Sequence, residues 1–69
     1  MKVSARNVLP VTVKTVTPGA VDSEVIMELA PGIEVVSIIT KASVERLGLK
    51  PGVKAYAIIK APNVMIGVD

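Results

Sequence analysis

The stretch that decides the fold is residues 33–59, IEVVSIITKASVERLGLKPGVKAYAII, because its periodicity changes twice. Ile33 to Ile39 is rich in β-branched residues, and the adjacent pairs Val35-Val36 and Ile38-Ile39 make both faces apolar. That pattern predicts a strand buried on two sides, as in a closed barrel or at a subunit interface. Thr40 breaks it. Its hydroxyl suits an N-cap that accepts from the amide near Ser43, Val44 and Leu47 share one face, and Glu45 and Arg46 are left for water, which predicts a helix of about two turns. Gly48 stands where a left-handed C-terminal cap is wanted, and Leu49 supplies the hydrophobic contact that follows such a cap. Beyond the turn Lys50-Pro51-Gly52, alternation returns, with Val53, Ala55, Ala57 and Ile59 on one side and Lys54, Tyr56, Ile58 and Lys60 on the other.

Upstream, Val21, Ser23, Val25, Met27 and Leu29 alternate with Asp22, Glu24, Ile26 and Glu28, the period of a half-buried strand. Turns bound it on both sides. At Thr17-Pro18-Gly19-Ala20 the proline presets one dihedral and the glycine permits the positive one that follows, and Ala30-Pro31-Gly32 turns the chain again. Asn7 to Val16 reads as the first strand, with Pro10 marking an edge, a bulge or a bend because it has no N–H for the ladder. Downstream, Pro62-Asn63 separates the fourth strand from a last one over Val64–Val68. The expected fold is therefore all-β, a five-stranded OB-like Greek-key barrel with one short helix between strands 3 and 4, in a single domain over residues 1–69. Local patterning leaves an SH3-like barrel as the nearest competitor.

Composition agrees with a small β domain and adds a constraint. There are 13 Val and 7 Ile against 4 Leu, with Tyr56 the only aromatic residue. A chain this short buries roughly 60% of its unfolded surface, and one such core seldom supplies more than about 3–5 kcal/mol. With no Cys and no His, neither a disulfide nor a thiolate metal site can supplement it. Yet the apolar share, glycine included, is about 57% against an ordinary level of about 45–50%. The excess predicts self-association.

Several functions are disfavoured on the same grounds. The longest uncharged stretch, Ala61 to Val68, is far shorter than the roughly 18 residues that span a bilayer, and no basic-then-apolar leader opens the chain, so a cytoplasmic protein without a membrane partner is expected. The lack of His and Cys removes the commonest acid–base and nucleophile arrangements, and the six acidic residues form no evident metal-binding loop, so no enzyme is expected. A net charge of +2 leans toward anions without demanding nucleic acid.

Binding groups remain. Ser4 and Arg6, two apart, project from one face of an extended segment and offer a hydroxyl and a guanidinium fork. Thr40 stands at a helix start, and Lys60 ends the fourth strand with an ammonium. Donors and positive charge without a carboxylate are the chemistry of a tetrahedral oxyanion pocket. Each residue also has an ordinary role, Lys60 and Arg6 as solvated charges, Thr40 as a cap and Ser4 in a frayed terminus.

Three motifs break this tie. The opening Ser4-Ala5-Arg6-Asn7, the central run Val36 to Lys50 and the closing run Ala57 to Ile66 together resemble the molbindins, small molybdenum-pterin-binding (Mop) proteins related to the TOBE domains of molybdate transporters and regulators. The resemblance covers nearly the whole chain. It implies an OB-like barrel that assembles as a homohexamer, a trimer of dimers, and stores molybdate or tungstate at subunit interfaces without catalysis and without an organic cofactor. The implied ligands are Ser4 through hydroxyl and amide, Arg6 through side chain or amide, the Thr40 region, Lys60, and the amide of Ala61, with the anion held by hydrogen bonds and charge and no protein–metal bond. Two departures stand out. Ala61 lacks the hydroxyl that some relatives carry after the lysine, and Pro62 has no amide hydrogen to offer. The rival functions are an OB-fold nucleic-acid binder, which ordinarily stacks bases on aromatic side chains, and a pterin-binding or molybdate-sensing protein.

Overall fold

In a computed structural model that describes all 69 residues, β1 (Asn7–Pro18), β2 (Asp22–Ala30) and β3 (Ile33–Thr40) form an antiparallel meander. Helix α1 (Lys41–Leu47) follows, and β4 (Lys54–Ile59) returns to lie antiparallel beside β1, giving the sheet order β3-β2-β1-β4. Three hairpin-linked strands with a fourth set beside the first is the Greek-key arrangement expected from the sequence.

The number of strands differs from expectation. There are four, and residues 64–68, expected as the fifth, leave a short 3-10 turn (Ala61–Asn63) without joining the sheet. Val64 is 50% exposed, and Met65, Ile66 and Val68 are each more than 90% exposed. Both edges of β1 are already paired, to β2 and to β4, so only the outer edges of β3 and β4 are open to a further strand. β3 and β4 are not bonded to each other, so the sheet is curled but not closed. The helix α1 matches the expected span, and no helix is long and apolar enough to cross a membrane.

Local chemistry explains most of the element ends. Thr40 caps α1 as expected, its Oγ1 accepting from the Ser43 amide at 3.1 Å. Gly48 takes the left-handed conformation (φ 65°), its N–H donates to the Glu45 carbonyl, and the Leu49 N–H donates to the Val44 carbonyl, which is the Schellman pattern. Val44 and Leu49 pack half-buried on the core, so the cap also fixes how α1 sits on the sheet. At Pro31-Gly32, φ of Gly32 is 80°, the value required at the third position of a type II turn. Gly19 departs from expectation. Its φ is not positive; it is required because a Cβ there would lie 2.6 Å from the Asp22 carbonyl oxygen, which accepts the Gly19 amide. Pro10 lies in the part of β1 opposite Tyr56 of β4, before pairing with β2 begins at Thr12, so its missing N–H breaks no bond to β2.

A bulge between Val13 and Thr15 of β1 turns Lys14 outward to form an ion pair with Glu34 of β3. The hydrogen bond and charge of Glu34 raise the Lys14 pKa above the ordinary ammonium value. The pair is exposed and adds little stability.

The core is thin. Val11 and Val13 of β1, Val25 and Met27 of β2 and Ala57 of β4 are buried, and the central members of the alternation predicted for β2 face inward as expected. Ser23 shares this interior at 2% exposure, but its hydroxyl has no hydrogen-bond partner. Leaving a buried hydroxyl unpaired costs about 1–3 kcal/mol. Ser23→Ala is therefore expected to stabilise the chain by about 1 kcal/mol, a rise in Tm of about 4–8 °C for a domain of this size, read by thermal denaturation. A fall in Tm would show that the hydroxyl is bonded after all.

Candidate functional site

The β1/β4 ladder begins with Asn7 opposite Ile59. The residues just before Asn7 and just after Ile59 are thereby carried to the same end of the sheet. They line a cleft of about 470 Å³ formed by Ser4, Ala5, Arg6, Ile58, Lys60, Ala61 and Pro62. Four of the five residues expected at the site, Ser4, Arg6, Lys60 and Ala61, meet there.

The electrostatics of the cleft have one sign. Arg6 and Lys60 bring two cations, and no Asp or Glu is among the lining residues. The one ion pair in the chain is Lys14–Glu34, on a different part of the surface, so neither cleft cation is neutralised internally. Ser4, Ala5 and Arg6 precede the first strand, and their amides donate to no backbone carbonyl. All four expected residues are solvent-exposed, which makes this an open cleft. Its groups can hydrogen-bond and charge-pair with an anion.

The fifth residue, Thr40, lies elsewhere. It ends β3, at the opposite edge of the sheet from β4, and does not line the cleft. Its hydroxyl accepts from the Ser43 amide and donates to Ser43 Oγ at 2.8 Å, and Arg46 donates to the same Oγ at 3.5 Å. The chain therefore carries a second small polar cluster, Thr40-Ser43-Arg46, at the start of α1. The sequence placed the Ser43 amide at Thr40 but not the Ser43 hydroxyl or Arg46, although the spacing of three between each pair puts them on one helix face. It also missed Ala5, Ile58 and Pro62 as cleft lining; only the strand register, which spacing along one segment does not reveal, brings them together.

Comparison with known proteins gives this geometry a context. The TOBE domain family matches residues 3–66. Molybdenum-pterin-binding protein 3 of Clostridium pasteurianum is 47% identical over 66 residues, covering 96% of this chain and 97% of that protein. Relatives differ in length, since the chain spans only 25% of MopA of Rhodobacter capsulatus, to which it is 46% identical over 66 residues. Among solved structures, a molybdate-binding protein from Sporomusa ovata superposes with a TM-score of 0.89 at 40% identity, covering 99% of this chain and 100% of that one. The cytoplasmic molybdate-binding protein ModG, in a form with molybdate bound, superposes with a TM-score of 0.92 at 52% identity, covering 100% of this chain and 49% of that one. With the fold shared at this level and the identity sustained along nearly its whole length, the chain belongs to the TOBE domain family, alongside the molybdenum-pterin-binding proteins.

Proposed function

We propose that this protein binds molybdate or tungstate reversibly and without catalysis, serving as a cytoplasmic store of oxyanion. The observation that carries the reading is the cleft itself, where Ser4, Arg6, Lys60 and Ala61 converge with two unneutralised cations and no carboxylate. A tetrahedral dianion leaving water needs several donors and tolerates no nearby negative charge, and this set of groups meets both needs. Molybdate is favoured over other anions by the ligand-bound ModG structure and by the names of the relatives.

The cleft is too open to enclose an anion alone. In this reading it is completed at a subunit interface, where Thr40 of a neighbouring copy faces the cleft, in a homohexamer built as a trimer of dimers. The cleft offers no aromatic side chain on which a flat ring could stack, which supports an oxyanion over a pterin or a nucleic acid as its ligand. Phosphate, which carries a proton near neutral pH, finds mainly donors and no carboxylate to accept that proton.

Equilibrium dialysis against molybdate with elemental analysis tests this reading. Retention of molybdenum at micromolar oxyanion is expected, and Tm is expected to rise as oxyanion is added, because a ligand that binds only the folded assembly stabilises it by mass action. No retained molybdenum at that concentration would overturn the proposal.

A further inference from the structure

The polar cleft has an apolar side. In the β1/β4 ladder Val8 stands opposite Ile58, and one further step past the Asn7–Ile59 pair sets Arg6 against Lys60. The backbone is still extended at Lys60 (φ −62°, ψ 133°), so its side chain shares a face with that of Ile58 two residues before it. A rung of two cations thus adjoins a rung of two β-branched hydrocarbons. Ile58 lines the cleft itself, with Ala5, Ala61 and Pro62, so four of the seven lining residues carry no polar side-chain group. Ile58 is 46% exposed and belongs neither to the buried core nor to the half-buried residues packed against it. Packing in the core therefore does not account for a large apolar side chain at this position.

Donors and charge alone do not separate sulfate from molybdate, because both are fully deprotonated tetrahedral dianions near neutral pH. They differ in size. The longer bonds of molybdate and tungstate spread the same charge over a larger sphere, and the cost of taking an ion out of water falls as its radius grows. A donor in the cleft returns part of what the lost water gave, whereas hydrocarbon returns none. Given an oxyanion in the cleft, as proposed above, we infer that Ile58 is a specificity-determining residue. Its side chain shuts off part of the anion's water shell without replacing it, and the smaller, more tightly hydrated sulfate loses more than molybdate or tungstate. A hydroxyl at the same place would restore a hydrogen bond and benefit sulfate most.

Isothermal titration with sulfate, selenate, molybdate and tungstate tests this on the unmodified protein, Ile58→Val and Ile58→Thr. The two variants have nearly the same shape and both keep the β-branching that suits a strand, so they differ mainly by a methyl against a hydroxyl. In the unmodified protein and in Ile58→Val, molybdate and tungstate are expected to bind more tightly than sulfate, with selenate, intermediate in size, in between. In Ile58→Thr the preference for molybdate over sulfate is expected to shrink about 10-fold, chiefly through tighter sulfate binding, while Tm without ligand and the mass by light scattering stay unchanged. The same preference in all three proteins, or a selenate Kd outside the interval set by sulfate and molybdate, would overturn the role of Ile58 and leave oxyanion binding standing. No molybdate bound by the unmodified protein would instead overturn the reading of the cleft. The selenate comparison uses the natural sequence, so it remains decisive even if Ile58→Thr fails to fold.

Discussion

Replacing Arg6 or Lys60 with Ala is expected to raise the Kd for molybdate by about 10- to 100-fold in each case, while Tm without ligand stays nearly unchanged. The magnitude follows from the type of contact. Hydrogen bonds to charged groups contribute about 1.5–3 kcal/mol, and each 1.4 kcal/mol is about tenfold in affinity. The specificity of the effect follows from position. Both side chains are exposed, neither has an internal partner, and neither belongs to the core cluster, so removing them leaves the packing intact. Arg6→Lys is a useful intermediate, since it keeps the charge but loses the planar fork that can grip two oxygens at once. Isothermal titration of the three variants beside thermal melts separates binding from folding. Unchanged affinity in both Ala variants would reduce Arg6 and Lys60 to solvated surface charges.

The opposite pattern is expected for Met27→Ala, which should abolish cooperative folding of the isolated chain. Met27 is 7% exposed and is one of only five buried hydrophobic residues. Truncating a buried Leu, Ile or Met to Ala costs about 2–5 kcal/mol through lost transfer energy and the cavity left behind. A core this small supplies only about 3–5 kcal/mol in total, so one truncation consumes most of the margin. Leu47→Ala is the control. Leu47 is 60% exposed, and a surface substitution of that kind is expected to stay within about 0.5 kcal/mol. Circular dichroism with a thermal ramp distinguishes the two, and a sharp Met27→Ala transition near the parent Tm would refute the account of the core.

How far the sequence foretells this structure depends on the range of the interaction. The helix α1 is legible almost to the residue because its signals are local: the Thr40 hydroxyl, the Gly48 φ and the Leu49 contact all act within one turn. The β2 alternation is legible for the same reason, since every second side chain shares a face whatever lies beyond. Residues 64–68 show the limit of such reasoning. Their composition says that they suit a strand, but a strand also needs a partner edge, and composition cannot say which chain provides it. Gly19 shows another limit, where a glycine in a turn was expected for its φ and proved necessary for a close backbone approach. The cleft was only partly legible. Ser4 and Arg6 can be paired from their spacing, but Lys60 joins them through the β1/β4 register, and Thr40 lies at the far edge of the sheet. Charge and donor counting picked out Ser4, Arg6, Thr40 and Lys60, and the strand register brings three of them to one cleft.

The pairing of Asn7 with Ile59 has a consequence for how the molecule comes into being. The meander β1-β2-β3 closes through short hairpins, so its contacts are local and can form early. The β1/β4 ladder must instead close a loop of most of the chain, and long-range pairings of this kind form slowly. The polar cleft is assembled only from residues on either side of that closure. It therefore has no precursor in a half-folded chain, and its groups come together only when that slow closure is made. In the proposed reading, an oxyanion-binding signal followed in real time during refolding would rise no earlier than completion of the native topology.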